Sequence, residues 1–195
     1  AEISQGRLEA LLNFQTMITE LTGMELANAS LLDEASAASE AMIMMHSARS
    51  RADVKTGKDM FFVDQNIFQQ TKEVMAAKAA PLGIEIVTGD FRTFQWSDKV
   101  FGCMVQYPGA DGKIEDYSDF TATAHKQGAL VGVAADIFGL TLLRPPGQWD
   151  ADVVVGSTQR FGIPMFYGGP HAAYYATREK FKRLLPGRVI GVSID

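Results

Sequence analysis

Asp136 follows Ala129-Leu130-Val131-Gly132-Val133-Ala134-Ala135, an unbroken run of small and apolar residues of the buried-strand type. A carboxylate at the end of such a strand is costly to leave without a partner. A pyridinium nitrogen would satisfy it, the aspartate then keeping the ring protonated as an electron sink. A backbone N–H of the following turn would satisfy it too, as a simple cap. About twenty residues further on comes a second polar stretch, Ser157-Thr158-Gln159-Arg160-Phe161-Gly162-Ile163-Pro164. Two such stretches after two strands are what a ligand site in an open α/β sheet needs, because ligands there bind beyond the carboxyl ends of the strands. Asp64 and Gln106-Tyr107-Pro108 occupy the same kind of position.

Other reactive residue types give less. His46, His125 and His171 lack metal-ligand spacing, and neither HExxH nor CxxC occurs. His125 is expected near a helix C-terminus, where a cation is favourable, and His171, beside Gly168-Gly169-Pro170, is a candidate to line a pocket. Cys103 is the lone cysteine, so no intrachain disulfide forms, and its apolar neighbours mark it as a small buried hydrophobe. Met42, Met44 and Met45 read as core filler. No GxGxxG follows a strand, so nothing suggests a dinucleotide cofactor. The net charge is -5 and the nine Lys and nine Arg are scattered, which argues against nucleic acid or an anionic membrane as partner.

The elements that must hold these residues alternate. An amphipathic helix runs from about Leu8 to Gly23, and a second, rich in Ala and Met, from about Asp33 to Ala48, with Ser30 or Asp33 as its N-cap. Ser50 to Asp59 reads as a loop. Strands are expected at Met60–Val63, Ile84–Val87, Val100–Tyr107, Ala129–Ala135, Ala151–Val155 and Ala172–Ala176. Helices are expected at Ile67–Ala80, Ile114–Gln127 and Arg178–Leu185. Strands alternating with helices predict one α/β domain over residues 1–195, its mostly parallel sheet covered on both faces. The final Gly191-Val192-Ser193-Ile194-Asp195 reads like an interrupted strand, and the missing initiator Met suggests a fragment truncated at both ends.

Strand-end Asp followed by a later polar stretch resembles the large domain of fold-type-I pyridoxal-phosphate (PLP) enzymes, the aspartate-aminotransferase-like fold. Five sets of residues narrow the resemblance: Ser4-Gln5-Gly6-Arg7-Leu8-Glu9, Ala29-Ser30-Leu31-Leu32-Asp33-Glu34, Gln106-Tyr107-Pro108, Arg144-Pro145-Pro146-Gly147, and Gln159 to Pro164 with Gly168-Gly169-Pro170-His171-Ala172-Ala173. In this order they are similar to the P-protein, the decarboxylating glycine dehydrogenase of the glycine cleavage system. That family has two homologous halves, fused or separate, and the catalytic one carries His-Lys-Thr-Phe before Ile-Pro. Aligning Phe161-Gly162-Ile163-Pro164 with it puts Thr158 at the histidine, Gln159 at the cofactor lysine and Arg160 at the threonine. An amide is not a nucleophilic amine, and a guanidinium stays protonated at any usable pH.

The resemblance therefore implies the non-catalytic half of the P-protein, with no catalytic residue, no metal and no cofactor-binding residue of its own. Asp136 and Gln159 would be degenerate remnants, and Arg160 and His171 candidate pocket-lining residues. It further implies PLP for the whole enzyme, held by a lysine on a complementary half or subunit. Glycine would be the substrate and the lipoylated H-protein the acceptor, in the cytoplasm of a bacterium or the mitochondrion of a eukaryote. Asp33 and Glu34, at the helix start where a cofactor phosphate would seek free N–H groups, agree with the helix dipole but would repel a phosphate. Two other readings stay open: a non-catalytic α/β binding or scaffold module, and a free-standing PLP enzyme whose lysine lies elsewhere.

Overall fold

A computed structural model describes residues 2–192. Seven strands form one sheet: β1 (Leu26–Ala27), β2 (Met60–Asp64), β3 (Glu85–Gly89), β4 (Val100–Tyr107), β5 (Leu130–Ala135), β6 (Val153–Ser157) and β7 (Ala173–Thr177). Their order is β1-β7-β6-β5-β4-β2-β3. The block β3-β2-β4-β5-β6 is parallel, and β7 and β1 close one edge antiparallel. The expected mostly parallel α/β sheet is what forms, with β5 at its centre.

Period-two alternation divides the apolar residues between two cores. Phe62, Val133 and Ala135 point to the face covered by α1 (Glu2–Thr22) and α5 (Ser118–Lys126), where they meet Ile18, Phe120 and Ala124. Phe61, Val63 and Ala134 point to the other face, under α2 (Glu34–Ser47) and α4 (Gln69–Ala79), where they meet Met42, Met45 and Met75. Burial on both faces is why the central strands read as continuous apolar runs. Met42, Met44, Met45 and Cys103 are all buried core residues.

Several boundaries differ from expectation. The 50–59 stretch is not all loop: α3 (Arg51–Lys55) forms because Ser50 and Asp53 make a reciprocal capping box. α5 starts at Ser118 rather than Ile114, since the Asp116 carboxylate accepts hydrogen bonds from the Ser118 N–H and hydroxyl and fixes a turn there. The expected helix from Arg178 to Leu185 shrinks to a 3-10 turn at Glu179–Phe181. Successive N–H groups of Phe181, Lys182 and Leu184 bond three residues back, and Pro186 disfavours continuation. β1 was not expected; two residues suffice because Leu26 and Ala27 pair with Thr177 and Ala176. Of the strand expected at the C-terminus, residues 191–192 are irregular and 193–195 lie outside the described residues.

One glycine is demanded by packing at the sheet centre. A Cβ on Gly156 of β6 would sit 2.2 Å from the Ala135 carbonyl oxygen and 2.6 Å from the Tyr174 ring. Tyr174, fully buried, donates its hydroxyl to that same carbonyl at 2.7 Å. The end of β5, and with it Asp136, is thus fixed from the β6–β7 side.

Candidate functional site

Beyond the carboxyl ends of β4, β5 and β6 lies a cavity of about 410 Å³. Each strand or the turn just after it contributes: Gln106 and Pro108 at the end of β4, Asp136 after β5, and Ser157, Gln159 and Arg160 at and after the end of β6. Glu34, the first residue of α2, and Phe68, just before α4, complete the wall. A neighbouring cavity of about 380 Å³ shares Glu34, Phe68, Ser157 and Gln159, and adds Asp33 and His171. The structure therefore gathers Asp136, Gln159 and Arg160 around one cleft and sets His171 on an adjoining one.

Asp136 has two partners. Its Oδ1 accepts from the Phe138 N–H at 3.2 Å and from Arg160 Nε at 3.2 Å. The cap and the cation are thus both present, and the cation belongs to the protein. Arg160 also lies over the Phe138 ring, 5.1 Å from its centroid. The Gln159 amide is engaged with the loop that follows it: Nε2 donates to the carbonyls of Gly168 at 3.3 Å and Pro170 at 3.2 Å. The loop between β6 and β7 is pinned a second time by Thr158, whose N–H and hydroxyl both donate to the Ala172 carbonyl at 2.9 Å.

At the start of α2, Asp33 is the N-cap, its Oδ1 accepting from the Ser36 N–H at 2.7 Å. Glu34 was expected as a first-turn charge favourable to the dipole, yet its Oε1 is buried and has no hydrogen-bond partner. Burial pushes its pKa from 4.5 up to about 7, against the opposing pull of the Gln106 amide and the Ser157 backbone N–H. Gln106 is 2% exposed and its Oε1 also lacks a partner. Sequence reasoning reached Gln106 as a strand-end residue but missed Glu34 as a wall residue, because its burial comes from β4 and β6 and not from its own helix.

Asp64, the remaining strand-end carboxylate, is buried and serves a turn, accepting from the N–H groups of Asn66 and Phe91. His125 does lie in the last turn of α5, with Nε2 2.8 Å from the buried Asp152 carboxylate. That carboxylate also accepts from the Val131 N–H and from Lys180. Among the described residues no cluster of His, Cys, Asp and Glu is arranged to hold a metal ion, and no helix is long and apolar enough to cross a membrane.

A mostly parallel sheet of this order, with its cleft past β4 to β6, has the fold of the large domain of fold-type-I PLP enzymes. The same fold is found in a putative O-acetylhomoserine (thiol)-lyase of Campylobacter jejuni, 16% identical, with a TM-score of 0.65 over 89% of this chain and 41% of that one. The family model of the glycine cleavage system P-protein matches residues 1–195, and the chain belongs to that family. It is 57% identical over its whole length to the glycine dehydrogenase (decarboxylating) of Bacteroides thetaiotaomicron and to that of a Nostoc species. It is 36% identical to a glycine decarboxylase (P-protein) of the glycine cleavage system solved in inhibitor-bound form, with a TM-score of 0.89 over all of this chain and 44% of that one. The chain spans about a fifth of the length of the curated relatives.

Proposed function

We propose that this chain is a segment of a glycine dehydrogenase (decarboxylating), the enzyme that uses PLP to decarboxylate glycine and passes the aminomethyl group to the lipoyl arm of the H-protein. The observation that carries this reading is identity of 57% with relatives of that name across the entire chain. PLP, when bound, supplies the electron sink that makes loss of the glycine carboxylate feasible.

Within that enzyme we assign the chain to the half that lacks the cofactor lysine. The residues around the cleft do not fit a covalently held PLP. No lysine is among those lining the cavity, and the residue at the aligned position, Gln159, has an amide engaged with the carbonyls of Gly168 and Pro170. Asp136, which would have to face a pyridinium, is paired with Arg160. Where the phosphate would approach α2, the Glu34 carboxyl stands in the wall. The segment then acts as scaffold and contact surface for a lysine-bearing half, and has no decarboxylase activity alone.

The test is glycine–bicarbonate carboxyl exchange. The isolated chain is expected to show none above a protein-free control. The intact enzyme, with both halves, is expected to show it. The chain mixed with PLP should give no absorbance band that borohydride fixes to protein; a fixed band would overturn the lysine-lacking assignment. The alternative of a scaffold unrelated to the enzyme predicts that no lysine-bearing half co-purifies.

A further inference from the structure

We propose that the cleft beyond β4, β5 and β6 binds a small zwitterion of the α-amino-acid type, with its ammonium on Asp136 and its carboxylate on Arg160. The proposal rests on the reading that this half holds no covalent PLP, since a cofactor ring there would take the same space.

Asp136 and Arg160 both line the cavity of about 410 Å³, and both side chains are accessible, at 33% and 56% exposure. Their contact uses one atom of each: Arg160 Nε donates to Asp136 Oδ1 at 3.2 Å, and that same oxygen takes the Phe138 N–H. Among the described residues, Asp136 Oδ2 and the two Nη groups of Arg160 have no hydrogen-bond partner. The guanidinium also lies over the Phe138 ring, 5.1 Å from its centroid. Held at Nε and against that ring, it keeps its end-on edge free, the two parallel Nη donors that match a carboxylate. A free carboxylate oxygen and a free guanidinium edge therefore stand on two groups already in contact. Only a ligand whose opposite charges lie close together meets both without separating the pair. In an α-amino acid a single carbon lies between them.

Local charge rules out simpler ligands. Among the described residues, Arg160 is the only Lys or Arg lining this cavity or its neighbour, whereas Asp33, Glu34 and Asp136 all line one or the other. A plain anion meets more carboxyl groups than cations, and a plain cation leaves the Arg160 edge unmet. A zwitterion sets each charge against its opposite and adds no net charge. Phe68 and Pro108 supply apolar wall, and the volume suits a small side chain.

The probe is sarcosine, titrated calorimetrically into the intact enzyme with both halves present. Borohydride first reduces the cofactor linkage, so that no imine exchange adds heat. Saturable binding is expected at ~1–10 mM, the range for a site of partly solvated charges. In butyrate a methylene replaces the ammonium, and in N-methylglycinamide an amide replaces the carboxylate. Each should bind at least about fivefold more weakly than sarcosine. Arg160→Gln and Asp136→Asn, which assign the heat to this cleft, should each weaken sarcosine binding by at least about fivefold. Thermal melts check that both variants are folded, and the analogue comparison stands on the parent protein alone. A smaller difference for either analogue or in either folded variant would overturn the proposal, as would no saturable heat up to ~50 mM sarcosine. A borohydride-fixed band in the isolated chain would sink the lysine-lacking reading instead, so the two failures are told apart.

Discussion

Arg160 Nε meets Asp136 Oδ1 at 3.2 Å, joining the end of β6 to the end of β5 across the mouth of the cleft. Both side chains are partly solvated, at 56% and 33% exposure, so the pair contributes less than about 1 kcal/mol. Asp136→Asn should therefore lower unfolding free energy by under about 1 kcal/mol in urea. It should also leave the PLP content of the intact enzyme unchanged. Loss of cofactor on this substitution would mean that Asp136 faces a bound ring rather than Arg160.

Gln159 holds the β6–β7 loop through two carbonyls. Gln159→Ala removes both bonds from a partly exposed site, a loss of about 1 kcal/mol or less globally. Local opening should increase more, and limited proteolysis within residues 160–171 should speed up severalfold. Cleavage elsewhere at an unchanged rate is the accompanying control.

Glu34 links stability to pH. Its folded pKa, about 7, lies above its ordinary 4.5, so the folded state holds the proton more tightly. Stability is then full below about 4.5 and falls as pH rises towards 7, by about 3 kcal/mol in the limit. Glu34→Gln should raise stability at pH 8 by roughly 2 kcal/mol after the lost helix-dipole contribution, and change it little at pH 5. Urea melts at the two pH values read this directly; equal effects at both would show that Glu34 titrates normally.

Gly156→Ala places a methyl group 2.2 Å from the Ala135 carbonyl oxygen. The backbone of two central strands must separate, and the loss should be at least about 2 kcal/mol. A melt indistinguishable from the parent would show that β5 and β6 are free to shift.

Much of this was legible in the chain. Phe61-Phe62-Val63 and Val133-Ala134-Ala135 announce two-sided burial because adjacent residues feed opposite cores. Asp33 was legible as a cap because its chemistry is local. Asp136 was legible as a strand-end carboxylate, but not its partner: Arg160 is 24 positions away and arrives only through the β5–β6 pairing. Glu34 was misjudged for the same reason. Its sequence neighbours specify a helix start, whereas its burial depends on Gln106 and Ser157 from two distant strands. β1 left no pattern at all, since two residues are too few for periodicity and its register comes from β7.

The antiparallel return of β7 beside β6 decides how the segment between them is held. Ser157 and Ala173 are paired, and Thr158 clasps Ala172, so the excursion between them leaves and re-enters the sheet at one closed gate. Its length is uncoupled from the strand register on either side. The segment hangs from a single hairpin base: a change of conformation between Gln159 and His171 can reshape the cleft wall while β6 and β7 keep their register.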